Sequence, residues 1–196
     1  PERPVFTLNH SIAMAGVLGS DYSIQHTEFS YRQRLMAAPV GYFDVMLRAG
    51  KIWGQAPYPL LIIPNANLSY TYRKETFETM TPMEFVLDQH LTWDVVYYMN
   101  GLIFNRTPLV KKLKLREVLY CRGIWGSLSN RNNPAIDTSG NIFSYPTGRS
   151  QATGTVMKEP FVELGAGVEN IFKIASVNFF KRMTYKNSPD VDQWGL

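Results

Sequence analysis

Ionisable side chains fall on one parity of several strictly alternating segments: Glu28, Arg32 and Arg34 in one, Asp44 and Arg48 in the next, and Glu84, Asp88, His90 and Asp94 in a third. Acids and bases on one side of neighbouring strands can line a path for ions or polar cargo, or pair across strands and hold the structure rigid. Alternation alone is enough to gather them, so the structural role is the simpler one. Asp88, His90 and Asp94 include metal-binding types, but positions i, i+2 and i+6 of an extended strand span about 20 Å, too far for one coordination sphere. Hydrolysis would need a nucleophile beside a base. His10, His26 and His90 and many serines are available, yet no Gly-x-Ser-x-Gly elbow occurs. No catalytic, metal or cofactor residue is assigned.

The segment Met83 to Tyr98 organises the rest. Phe85, Leu87, Gln89, Leu91, Trp93, Val95 and Tyr97 alternate with Glu84, Val86, Asp88, His90, Thr92, Asp94, Val96 and Tyr98. A period of two is a strand, with an apolar wall on one side and nearly all the charge on the other. Its length suits a tilted strand crossing a bilayer better than a soluble sheet. Similar patterns predict strands at Val5 to Ala15, Tyr22 to Met36, Tyr42 to Trp53, Leu115 to Ser127, Phe161 to Glu169 and Ile174 to Lys186, with an eighth starting at Gln193. In Leu115 to Ser127 the faces are ambiguous, with Leu119, Cys121 and Trp125 placed outward. Gly54 to Pro82 and Leu128 to Glu159 read as long loops, Ala37 to Gly41 and Asn170 to Lys173 as short turns, and Asn100 to Lys114 as a tight turn or single helical turn. Long and short connections alternate, as do the extracellular loops and periplasmic turns of transmembrane barrels. In that frame the ionisable residues named above face the lumen, and Trp53, Trp93, Tyr97 and Trp125 form interfacial aromatic girdles.

The bulk composition agrees. Of 196 residues 45% are hydrophobic, 13% aromatic and only 18% charged, where soluble domains carry about 25% charged residues. No run approaches the ~20 apolar residues of a membrane helix, so any crossing is made by strands. A net charge of +4 spread over scattered bases gives nucleic-acid binding little support. The single Cys121 excludes an internal disulfide. The abrupt start at Pro1 and the strand that begins at Gln193 just before the end suggest a piece of a longer protein whose targeting signal lies upstream.

Four stretches carry a resemblance: GYFDVMLRAGKIWGQAPYPLL (41–61), MEFVLDQHLTWDVVYYMNGLIFNRTPLVKKLKLREV (83–118), GIWGSLS (123–129) and PFVELGAGVENIFKIASVNFFKRMTY (160–185). They are similar to the C-terminal part of a family of Bacteroidota outer-membrane proteins of unknown function, in which a carboxypeptidase-regulatory-like domain precedes a large barrel. The resemblance implies the cell outer membrane and more strands than this chain supplies. Arg122-Gly123 resembles the arginine-bearing loop motif of protein-assembly barrels but falls in a strand, so that role is not carried over. The expected fold is therefore all-β, an antiparallel up-and-down transmembrane β-barrel with about eight strands here, part of a larger barrel. The expected function is a non-enzymatic scaffold or conduit in transport, secretion or envelope assembly. Its partners would be outer-membrane lipid and other outer-membrane or periplasmic proteins, with no nucleic acid and no cofactor. The alternatives are a soluble all-β binding domain and a membrane-embedded hydrolase.

Overall fold

The computed structural model describes residues 2–195 apart from 18, 20, 70, 107, 137–142, 144 and 146–152, so the middle of the expected loop Leu128 to Glu159 lies outside the described residues. The chain forms one antiparallel sheet of eight strands in sequence order: β1 (Val5–Ala13), β2 (Ile24–Met36), β3 (Tyr42–Trp53), β4 (Gln89–Tyr98), β5 (Arg116–Ser127), β6 (Phe161–Ile171), β7 (Ala175–Arg182) and β8 (Trp194–Gly195). Every strand pairs with its sequence neighbour, which makes the sheet up-and-down. The sheet is open, with β1 and β8 at its edges and no pairing between them among the described residues.

The segment joining β4 to β5 contains a 3-10 turn, Phe104–Arg106, and one helical turn, α1 (Pro108–Lys111). It folds over Glu117, whose Oε1 accepts hydrogen bonds from the backbone N–H groups of Ile103 and Phe104.

The expected strand Met83 to Tyr98 is shorter than its pattern. At Leu87 the backbone leaves the sheet: its N–H donates to Ile62 O and its carbonyl accepts from Ile62 N–H, both at 2.9 Å. Met83 has φ 57°, a left-handed value incompatible with extended chain. Phe85 and Leu87, expected on the outward apolar wall, are instead 0% and 1% exposed. They belong to a buried cluster with Phe77, Met80, Ile124 and Phe161. Residues 54–88 thus form one long connection that lies back against the sheet. Leu61 is buried with Ile52, Ala56 and Val86.

The sheet consequently has two unlike faces. The covered face carries the 54–88 connection, and between them sit all three apolar clusters, the third built from Val96, Val118, Tyr120 and Phe180. Gly165 permits close approach there, since a β-carbon at that position would run into the rings of Phe180 and Tyr120. The opposite face is bare. Its registered residues include Leu8 opposite Phe29, Tyr31 opposite Leu47, Leu91 opposite Trp125, Cys121 opposite Leu164 and Ala166 opposite Phe179. Most of its large apolar side chains are exposed, Leu8 at 70% and Phe179 at 55%.

Candidate functional site

Sheet register assembles a line of charge across the covered face. Asp94 is opposite Arg122, Arg122 opposite Glu163, and Glu163 opposite Arg182, so β4 to β7 present acid, base, acid, base at one level. Direct cross-strand neighbours lie about 5 Å apart at Cβ, within reach of an ion pair. Arg122 Nε donates to Asp94 Oδ1 at 3.2 Å, and Arg122 Nη1 stands 3.9 Å from Glu163 Oε1. Arg122, Glu163 and Arg182 are at most 1% exposed. Burying such charges is costly unless every polar atom finds a partner, and here the partners come from the folded-back connection.

The connection pairs backbone to backbone at Ile62 with Leu87 and at Ala66 with Phe77, while around Thr76 to Thr79 buried N–H and C=O groups are met by side chains from the sheet. Arg122 Nη1 donates to Thr76 O at 2.9 Å, and Arg182 Nη1 to Thr79 O at 2.9 Å. Glu163 Oε2 accepts from the backbone N–H groups of Glu78 and Thr79, both at 3.1 Å, and from Thr79 Oγ1 at 3.0 Å. Arg182 also forms a two-pronged pair with Glu84, and Arg122 Nη2 donates to Tyr72 OH. The guanidinium of Arg122 lies against the rings of Tyr72, Tyr120 and Phe180. Burial pushes the Tyr72 hydroxyl up to about 12, against the opposing pull of Arg122. Burial also raises the Glu78 carboxyl above its ordinary range, outweighing its hydrogen bond from Asn67 and the field of Arg122.

The ionisable residues expected in the lumen all lie between the sheet and this connection or beside it, though not as one cluster. Glu84 and Asp88 belong to the connection, not to β4. Glu84 pairs with Arg182, while Asp88 Oδ2 accepts from Ser129 N, Ser129 Oγ and Asn132 Nδ2, fastening the start of the second long loop. Asn132 Oδ1 in turn accepts from Ala56 N–H. Asp94 pairs with Arg122. On β2 and β3, Arg32 and Arg48 both reach Glu75 of the connection, Glu28 lies 3.7 Å from Arg48, and Arg34 makes two hydrogen bonds to Asp44. His90 sits over Gly50, beside His26. Asp88, His90 and Asp94 therefore have separate surroundings, and among the described residues no three metal-ligating side chains converge.

The aromatic set lies on the bare face. Trp53 and Trp125 stand towards the long-loop end, and Tyr97 stands at the other, stacked on Phe43 and donating to Val40 O. Trp93 is midway along β4 and lies over Gly123, where a β-carbon would overlap its indole. Sequence reasoning left out Arg122, Glu163 and Arg182 as site residues, although the last two fell on the polar parity of their strands. The usable signal was that all three reach one level once hairpin register is applied. The partners on the connection, Tyr72, Glu75, Glu78 and Thr79, carry no periodic signal.

The model of the C-terminal domain of a family of unknown function (DUF5686) matches residues 1–131. No curated protein and no solved structure matches the chain. The matched residues hold β1 to β5, Arg122, the connection and its acids, and residues beyond 131 continue the same sheet with β6 paired to β5. By that match over two thirds of its length, the chain belongs to the DUF5686 C-terminal domain family.

Proposed function

We propose that this chain forms part of the wall of a transmembrane β-barrel in a Bacteroidota outer membrane, downstream of a carboxypeptidase-regulatory-like domain. There it serves as a scaffold or conduit in transport, secretion or envelope assembly and not as an enzyme. One observation carries the reading: the sheet leaves an extensive apolar face uncovered, while the charged line Asp94, Arg122, Glu163 and Arg182 lies on the covered one. A soluble protein covers its apolar face and leaves the polar one to water. Here the connection covers the face bearing Asp94, Arg122, Glu163 and Arg182, while Leu8, Phe29, Leu47, Leu91, Leu119, Leu164 and Phe179 stay bare. Contiguous apolar surface on that scale marks contact with a membrane or a partner. Its dimensions fit lipid. On β3 the apolar run from Phe43 to Ala49 rises about 20 Å, near the ~25 Å band of outer-membrane barrels. Beyond it come Lys51 and Trp53.

Further strands would pair with the open edges, where β1 is exposed along its whole length. The complete burial of Arg182 and Glu84 supports a structural role for the charged line, since an ion path would need water beside it.

The test is lipid contact. In the full-length protein with Cys121 replaced by Ser, reconstituted in vesicles, fluorophores attached through cysteine at Leu91, Leu47 and Leu164 are quenched by a bilayer-dissolved nitroxide, and one at Thr92 is not. Three outward sites guard against a partner subunit covering one wall. No quenching at any of them would remove the membrane reading and favour a soluble sheet packed on protein.

A further inference from the structure

At the long-loop end of the bare face the apolar band stops at a polar row that runs straight across five strands. His10 is opposite Thr27, Thr27 opposite Lys51, Lys51 opposite Gln89, and Gln89 opposite Ser127. The row is internally bonded: His10 Nδ1 is 2.8 Å from Thr27 Oγ1, Trp53 Nε1 donates to Thr27 Oγ1 at 2.9 Å, and Gln89 Nε2 donates to Ser127 Oγ at 2.7 Å. Beside it opens a hollow of about 670 Å³, with Ala49 and Gly126 among its lining and Trp53, Trp125, Phe29 and Leu91 around it. Lys51 and Lys158 both line this hollow, and no carboxylate does so among the described residues. Lys51 Nζ is held 4.5 Å from the Trp53 ring, and neither lysine has an acidic partner among the described residues.

We propose that this hollow is a binding site for the phosphate headgroup of an anionic lipid. The argument rests on the membrane reading above and adds a ligand to it. Two ammonium groups with no counter-ion among the described residues, placed where an apolar wall meets a hydrogen-bonding row, match a molecule with a negative head and apolar tails. The flanking indoles suit the same level, because tryptophan settles where hydrocarbon gives way to headgroups. Trp53 and Trp125 lie along the chains, Lys51 and Lys158 meet the phosphate, and Gln89 and Ser127 face its polar substituents. A free phosphate would gain nothing from the aromatic walls.

The full-length protein is reconstituted in phosphatidylcholine vesicles containing a minor fraction of phosphatidylglycerol, with brominated acyl chains on one lipid at a time at matched mole fraction. Trp93 and Trp194, and any tryptophan outside residues 1–196, are replaced by Phe so that Trp53 and Trp125 report. Brominated phosphatidylglycerol should quench roughly fivefold more effectively per molecule than the neutral lipid, the factor one membrane-facing lysine supplies. Lys51→Gln with Lys158→Gln should equalise the two lipids. Lys51→Arg with Lys158→Arg, and Lys112→Gln with Lys173→Gln at the opposite end, should keep the preference. Equal quenching by both lipids in the parent, or a preference that survives the paired Gln changes, overturns the site and leaves the membrane reading intact. Absence of quenching by either lipid overturns both.

Discussion

At the scale of single residues, the two buried arginines show why a charged line can serve as a fastening. Each guanidinium spends part of its fork on an acid and part on a loop carbonyl, Thr76 for Arg122 and Thr79 for Arg182. The same side chains therefore cancel charge and satisfy an irregular backbone. Truncating one member of such a pair strands the other in a dry site, at a cost of about 3 to 5 kcal/mol, whereas replacing both with apolar residues is often close to neutral. Arg182→Met should accordingly destabilise strongly, and Arg182→Met with Glu84→Met should recover most of the loss. Urea unfolding of the reconstituted single and double variants measures this, and additive losses would show that the pair is not coupled. Glu78 predicts a pH dependence. Its carboxyl titrates above the ordinary range because it is buried, so the folded state holds that proton more tightly than the unfolded chain. Its contribution is fully present below the unfolded value and is lost as pH rises through the raised one. Stability measured from mildly acidic to neutral pH should fall less steeply in Glu78→Gln than in the parent. Parallel curves would exclude Glu78 as the source.

At the scale of elements, β3 and β4 show what alternation reveals and what it hides. β3 begins and ends at Tyr42 and Trp53, as its pattern indicates, because turns bound it on both sides. For β4 the same period runs on through Met83 to Asp88 outside the sheet. Alternation reports which residues share a side, but a chain leaving the sheet to cross its own covered face also buries Phe85 and Leu87 beside Glu84. Nothing local distinguishes an apolar residue that meets lipid from one that meets Phe161. The outward placement of Leu119 and Trp125, ambiguous from charges on β5, follows from register with Tyr97 and Leu91. Gly123 offers a test of that register. A β-branched residue there would collide with Trp93, so Gly123→Val should cost about 1 to 3 kcal/mol, as overpacking does. Trp93→Ala in the same chain should relieve most of it. If Trp93→Ala gives no relief in the urea unfolding of both variants, the indole does not lie over Gly123.

At the scale of the whole molecule, the alternation of long and short connections was legible in the sequence, but the destination of the longest was not. Gly54 to Pro82 read as an external loop from proline, asparagine and length alone, and Met83 to Asp88 as the start of a strand. Their attachment depends on Glu163 and Arg182, which lie far along the chain and meet Thr79 only after β6 and β7 have paired. Long-range dependence of that kind leaves no local signature. It also alters what topology mapping should find. The long connections join β3 to β4 and β5 to β6, so they share one end of the sheet, and the turns at 37–41 and 172–174 lie at the other. With the long-loop end outside the cell, cysteines at Leu60 or Ile136, both exposed, in a chain with Cys121 replaced by Ser, should react with an impermeant thiol reagent on intact cells. A cysteine at Pro39 in the exposed short turn should react only after the outer membrane is opened. A cysteine at Phe77, on the same connection as Leu60 but 5% exposed, should stay unreactive in both conditions until the protein is unfolded. Labelling at Phe77 alongside Leu60 would show the connection lying free, and labelling at Pro39 on intact cells would reverse the orientation. The contrast between Leu60 and Phe77 is the decisive one, because two sites on one connection can differ in this way only if the connection folds back under the charged line.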